Sequence, residues 1–216
     1  MTQTLPSSSA RVGEFLKKMQ TARGRLMFAL DATMSREWAW DASVKLQADM
    51  FAEAAKLGGL EMQLVWYRGL DECKASHWTI DARALATAMS GIKCVAGLTQ
   101  IGRLLTHARR EHERQKVNAV IFVGDAVEEK PHELYDLAGG LGVPVFLFQE
   151  GNDATVEKIF AQLARLTNGA HLKFAPGSLH ELGELLRAVA VFSVGGTAAL
   201  ADLRTNAAHK LLGQLK

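Results

Sequence analysis

Asp31, Thr33 and Ser35 follow directly on an apolar run, Leu26 to Leu30, as Asp-Ala-Thr-Met-Ser. A second carboxylate, Asp125, stands just past a second apolar run, Ala119 to Val123, and Thr99 opens a helical pattern between the two. Carboxylate and hydroxyl oxygens together are donors for a hard divalent cation. Magnesium prefers six oxygens in near-octahedral geometry and keeps some of its waters, so a few hydroxyls with one or two carboxylates can hold it without filling its shell. Two carboxylates balance the ion's two charges, and neutral hydroxyls leave it electrophilic. An Asp or Glu of another protein could then complete the coordination. The competing reading is that Asp31 caps the helix that follows it.

These residues need strands to carry them. Leu26 to Leu30 has the length and composition of a strand buried on both faces. Leu60, Met62, Leu64 and Trp66 alternate with Glu61 and Gln63 in a second strand, and Arg68-Gly69 turns it into a weaker strand around Glu72 to Thr79 as an antiparallel edge hairpin. Asp81 caps a short helix to about Ser90, and an irregular stretch from Gly91 to Leu98 leads into a helix whose inner face is Ile101, Leu104, Leu105 and Ala108. Pro131 opens a helix with Leu134, Leu137, Ala138 and Leu141 inward; Val143 to Phe148 is a strand; Asp153 caps a helix closed by Asn168-Gly169. A last strand lies near His171 to Phe174. The capping box Ser178-Leu-His-Glu181 starts a helix ending near Ser193, and after Gly195-Gly196 a leucine-rich tail forms a docking helix. Upstream, residues 10–23 make an amphipathic helix, and a long helix runs from the site to about Leu57.

Strands alternating with helices predict an α/β fold: a doubly wound, Rossmann-like, mainly parallel sheet with one antiparallel edge strand and helices on both faces. With strand order 3-2-1-4-5-6, Asp31 and Asp125 end side by side at the switch point and Thr99 arrives from an adjoining loop. Three distant segments then meet in one crevice.

Other constellations carry less. Trp38 and Trp40, two apart at the start of the long helix, divide between core packing and an exposed anchor beside the site. Glu128 and Glu129 read as solvated loop charges, and the helix bearing Arg109, Arg110, Glu111, His112, Glu113 and Arg114 as a solvated face. His107 and His112 are five apart, not the four that would align two imidazoles for a metal. Neither a dinucleotide-binding glycine pattern nor a phosphate-binding loop follows the first strand. With 25 basic and 23 acidic residues among 216, the charge is too balanced to imply nucleic acid or a membrane surface as partner. Cys73 and Cys94 lack metal or redox spacing and suit reduced thiols. No apolar run approaches the length of a membrane span, and no signal-peptide core opens the chain, so the expected location is the cytoplasm.

The order Asp31-Ala-Thr33-Met-Ser35, then Thr99, then Asp125 resembles the metal-ion-dependent adhesion site (MIDAS) of von Willebrand factor A (VWA) domains, whose motif is Asp-x-Ser-x-Ser followed by a distant Thr and a distant Asp. The chain looks most like small free-standing bacterial members. It departs from the pattern in having Thr33 for the commoner Ser, and Gly124 and Ala126 flanking Asp125. The resemblance implies a VWA domain over residues 24–193, with an N-terminal extension over 1–23 and a tail helix over 194–216. It implies a bound magnesium or manganese ion contacted through the hydroxyls of Thr33, Ser35 and Thr99, with Asp31 and Asp125 acting largely through water. It further implies a non-enzymatic module that captures an acidic residue of a partner protein, as family members do within larger assemblies. Two alternatives stand. One is a metal-dependent phosphoryl transferase or hydrolase of the haloacid dehalogenase type, in which Thr33 would replace the acid–base Asp that chemistry requires. The other is a metal-free interaction scaffold.

Overall fold

The computed structural model describes residues 23–33, 41, 45, 46, 49, 50, 53 and 59–215. The expected helix over residues 10–23 lies outside these residues apart from Arg23, as do Ser35, Trp38 and Trp40. Of the long helix expected after the first strand, Asp41, Lys45, Leu46, Asp49, Met50 and Glu53 are described and helical.

Among the described residues the strands are β1 (Gly24–Asp31), β2 (Leu60–Arg68), β3 (Glu72–Ala75), β4 (Ala119–Gly124), β5 (Val145–Glu150) and β6 (Ala170–Phe174). The helices are α1 (Ala82–Ser90), α2 (Ile101–Arg114), α3 (Pro131–Gly139), α4 (Ala154–Leu166), α5 (Leu179–Asp202) and α6 (Asn206–Leu212). The sheet order is β3-β2-β1-β4-β5-β6, parallel throughout except for the antiparallel β2–β3 hairpin at one edge. This is the Rossmann-like topology expected from the alternation of elements.

Strand β1 is buried along its whole length because it is central and covered on both sides. Successive side chains point to opposite faces, so Leu26, Phe28 and Leu30 pack with Met62, Leu64, Ile121 and the buried faces of α1, α5 and α6. Met27 and Ala29 pack on the other side with Val120, Phe122 and the inner stripes of α2, α3 and α4. The stripe read in the sequence for α2, Ile101, Leu104, Leu105 and Ala108, is buried as expected.

The polar face of α2 departs from expectation on one side. Glu111 is buried, accepting from Trp78 Nε1 at 2.7 Å, and Arg114 joins it at 3.0 Å. Trp78 also stacks under Arg25, whose guanidinium lies 3.8 Å from the ring centre and pairs with Glu61 at 2.8 Å. His107 bonds Gln63 Oε1 at 2.9 Å while the Gln63 amide donates to Ser76 O. Arg110, Glu113 and Arg114 stay exposed as expected, and only the side of α2 bearing His107 and Glu111 forms a polar seam, where the β2–β3 hairpin and the residues after it fold back over the helix.

The chain's last third closes the sheet's far edge. Ser178 accepts from Glu181 N–H, but the Glu181 carboxylate reaches Ala175 N–H instead of returning to Ser178, so only half of the expected capping box forms. Helix α5 is, by length and composition alone, long and apolar enough to cross a membrane, contrary to the sequence reading. Here Leu182, Leu186 and Val189 are buried in the core, and the helix is kinked at Gly196, where φ 65° and ψ −157° suit glycine alone. Beyond the kink Leu200, Ala208 and Leu211 dock on the same core, and Gln214 bonds both the N–H and the C=O of His171 at 2.9 and 2.8 Å. That side chain caps the open edge of β6 as a neighbouring strand would. At the opposite edge β3 is short and bears Glu72 and Lys74, which discourages pairing with another chain.

Candidate metal centre

Strands β1 and β4 are neighbours with Leu30 level with Val123, so Asp31 and Asp125 leave adjacent strand ends. Asp31 is 3% exposed, and its Oδ1 accepts the Thr33 N–H at 2.8 Å. This short turn is local to the Asp-x-Thr sequence and brings the Thr33 residue round to the same end of the sheet. Ala32 between them is held from both sides: its N–H donates to Tyr67 O, and its carbonyl accepts from Val95 N–H.

Thr99 is placed by longer-range contacts. Its N–H donates to Glu128 Oε2 at 2.6 Å, and its Oγ1 accepts from Glu128 N–H at 2.9 Å, a reciprocal pair across 29 residues of chain. Gln100 donates to the carbonyls of Arg68 and Gly69, and Leu98 N–H also bonds Gly69 O. Gly97 lies so close to the backbone of Gly69 that a Cβ could not be added there without overlap. The loop before Thr99 is therefore seated on the β2–β3 turn.

The outcome is a cavity of about 200 Å³ lined by Asp31, Thr33, Ala96, Gly97, Thr99, Asp125, Ala126 and Glu128. Four of the five residues singled out in the sequence, Asp31, Thr33, Thr99 and Asp125, share it. The fifth, Ser35, lies outside the described residues. Glu128 is exposed, as expected of a loop charge, but it also borders the cavity and holds Thr99, a role that sequence reasoning missed. Its neighbour Glu129 is likewise engaged, accepting from the N–H groups of Ile101 and Gly102 at 2.6 and 2.8 Å. Gln100, at the N-cap of α2, makes no side-chain cap bond, so a carboxylate from another loop performs that task. The signal available was only that both acids follow Asp125 closely.

Among the described residues no three His, Cys, Asp or Glu side chains come together closely enough to hold a metal ion by themselves. A cation at this end of the sheet has to draw on hydroxyls as well as carboxylates. The donors lining the cavity, the carboxylates of Asp31, Asp125 and Glu128 and the hydroxyls of Thr33 and Thr99, are of that mixed oxygen kind.

No protein-family model matches the sequence, and no curated protein matches it. Solved structures do. A von Willebrand factor type A protein from Catenulispora acidiphila superposes with a TM-score of 0.62 at 18% identity, over 81% of this chain and 43% of that one. The fold is that of a von Willebrand factor A domain. The SpRpn10 VWA domain matches with a TM-score of 0.59 at 16% identity, over 75% of this chain and 94% of that domain. Proximal thread matrix protein 1 from the mussel byssus, with a zinc-occupied MIDAS motif, matches at 0.61 and 16% identity over 88% of this chain and 53% of its own. At these identities the likeness is one of fold. The chain spans about half or less of the Catenulispora and mussel proteins, and nearly the whole of the SpRpn10 VWA domain. In the VWA fold seen here, the cavity sits at the carboxyl ends of the parallel strands, where the order of connections reverses and open α/β sheets take their ligands.

Proposed function

We propose that this VWA fold is a protein-binding module that depends on a divalent cation, magnesium or manganese, held by Asp31, Thr33, Ser35, Thr99 and Asp125. The observation that carries the reading is the convergence of four of these residues, from three segments distant in the chain, on one cavity. A cation bound there supplies an electrophilic position to which an Asp or Glu of a partner protein can bind. The chain's own residues do the rest. Asp31 and Asp125 offset the ion's charge, Thr33 and Thr99 offer neutral oxygens, and Glu128 orients Thr99. The zinc-occupied MIDAS motif of the mussel protein supports the choice of site.

An enzymatic reading finds less support. Thr33 occupies the position where a haloacid dehalogenase-type phosphoryl transferase needs an acid–base carboxyl. Burial pushes the Cys73 thiol above its usual range, which leaves it less thiolate and a poorer nucleophile. The cytoplasm is the proposed location on the cysteine spacing alone, since Cys73 and Cys94 stand 21 residues apart without metal or redox spacing.

The test is calorimetric titration of chelator-treated protein with magnesium and with manganese, wild type against Asp31→Ala, with circular dichroism to verify that both are folded. Saturable binding in the wild type, lost in the variant, is expected. A folded Asp31→Ala protein that binds either metal as the wild type does would sink the reading.

A further inference from the structure

Five large hydrophobic side chains are exposed among the described residues, and their distribution is uneven. Val95 (45%) and Leu98 (50%) belong to the segment that borders the cavity of Asp31 and Asp125, and Leu70 (73%) to the turn on which that segment is seated. Leu70 is in the β2–β3 turn. Val95 and Leu98 bracket Ala96 and Gly97, which line the cavity itself. The two segments are joined by the Leu98–Gly69 and Gln100–Gly69 bonds and by Arg68 donating to Lys93 O at 2.6 Å. The three side chains are thus held on a fixed support. The fold does not require them to be apolar: in the stretch 92–98, Ile92 and Cys94 pack against the core, while Val95 and Leu98 turn outward. Clustered aliphatic surface beside a polar cavity is a mark of an interaction site.

We propose that Leu70, Val95 and Leu98 form an apolar collar that selects, on a partner protein, an acidic side chain flanked by aliphatic ones. The inference rests on the cation-dependent reading above and names the chemistry of the partner. At the centre of the contact Asp31, Asp125 and Glu128 repel an approaching carboxylate; a divalent cation held there offsets two of the three charges and offers a coordination position that the carboxylate can take. A single exposed ionic contact does not discriminate, because most protein surfaces offer an Asp or Glu, and water screens it. The collar supplies the discrimination. Aliphatic neighbours of the partner's carboxylate bury against Leu70 and Leu98 and exclude water from the ionic contact, whereas polar neighbours lose hydration there without a partner.

The test uses two fluorescent head-to-tail cyclised peptides, one presenting Leu-Glu-Leu and the other Ser-Glu-Ser, cyclised so that ordering on binding costs little. Anisotropy is measured with magnesium and with chelator on the wild type, on Leu70→Ser/Leu98→Ser and on Asp31→Ala. The Leu-flanked peptide is expected to bind the wild type about tenfold more tightly or better. That advantage should largely vanish in the collar variant, whose affinity for the Ser-flanked peptide stays at the wild-type level. Equal affinities of the two peptides on the wild type, an advantage that survives in the collar variant, or no binding of either peptide overturns the collar. A Leu-flanked preference that persists in chelator and in Asp31→Ala leaves the collar standing and overturns the cation-dependent reading instead.

Discussion

Gly97→Ala tests whether the seating of one loop makes the site. A Cβ at residue 97 would overlap the nitrogen and oxygen of Gly69 and stand only 2.5 Å from its Cα. All three are backbone atoms, so no side chain can turn aside, and the loop must retreat by roughly 1 Å to restore van der Waals distance. That retreat breaks or stretches the Leu98–Gly69 bond and the two bonds from Gln100 to Arg68 and Gly69. At about 0.5–1.5 kcal/mol net for each of the three hydrogen bonds, the variant should lose about 1.5–4.5 kcal/mol of stability. For a domain of this size each kcal/mol lowers the melting temperature by about 2–4 °C, so scanning calorimetry should show a drop of several degrees. The larger effect falls on the cavity, because Thr99 follows two residues later. Displacing a residue that supports or supplies a metal ligand typically weakens binding by about 10–100-fold, and titration calorimetry with manganese reads that directly. Gly139→Ala is the control: nothing lies within 4 Å of the added Cβ in α3, and both stability and metal affinity should be kept. A Gly97→Ala protein with the wild-type melting temperature and the wild-type metal affinity refutes the reasoning.

Glu129→Gln removes the charged acceptor of two N–H groups at the start of α2, and loss of a cap of this kind costs about 0.5–2 kcal/mol, measurable by urea unfolding. Arg25→Met leaves Glu61 without its cation and Trp78 without its stacked guanidinium; breaking a largely buried pair should cost about 3 kcal/mol. Arg25 lies at the opposite end of β1 from Asp31, so metal binding by that variant should be unchanged, and a parallel loss of metal affinity would contradict the placement of the site. Burial lowers the proton affinity of His107 and His171, each of which bonds a glutamine carbonyl. Because the folded state binds these protons less readily than the unfolded one, their contribution is complete above the ordinary histidine range and is lost as pH falls below about 6.5. The melting temperature should therefore fall between pH 7.5 and 5.5, and fall less in His107→Gln/His171→Gln; identical slopes for the two proteins would count against the neutral, hydrogen-bonded histidines.

Much of the architecture is legible in the sequence, because it depends on interactions between near neighbours. The uninterrupted run Leu26 to Leu30 declares a strand covered on both sides, and the stripe of Ile101, Leu104, Leu105 and Ala108 declares the inner face of α2. Strand ends follow from those runs, and with them the positions of Asp31 and Asp125; connection rules for parallel sheets then place the two ends side by side. Asp81 and Asp153 cap the helices they precede, since a cap reaches only two or three residues. Tertiary structure decided what spans greater distances. Glu128 meets Thr99 across 29 residues and Glu129 meets Ile101 across 28, and no local pattern announces either pairing. Glu111 looks exposed on a charged helix until the β2–β3 hairpin lays Trp78 over it, and Gly97 looks like an ordinary loop glycine until Gly69 is pressed against it. Local sequence sets dihedral preference and amphipathic period; which polar group meets which is set by how the finished layers pack.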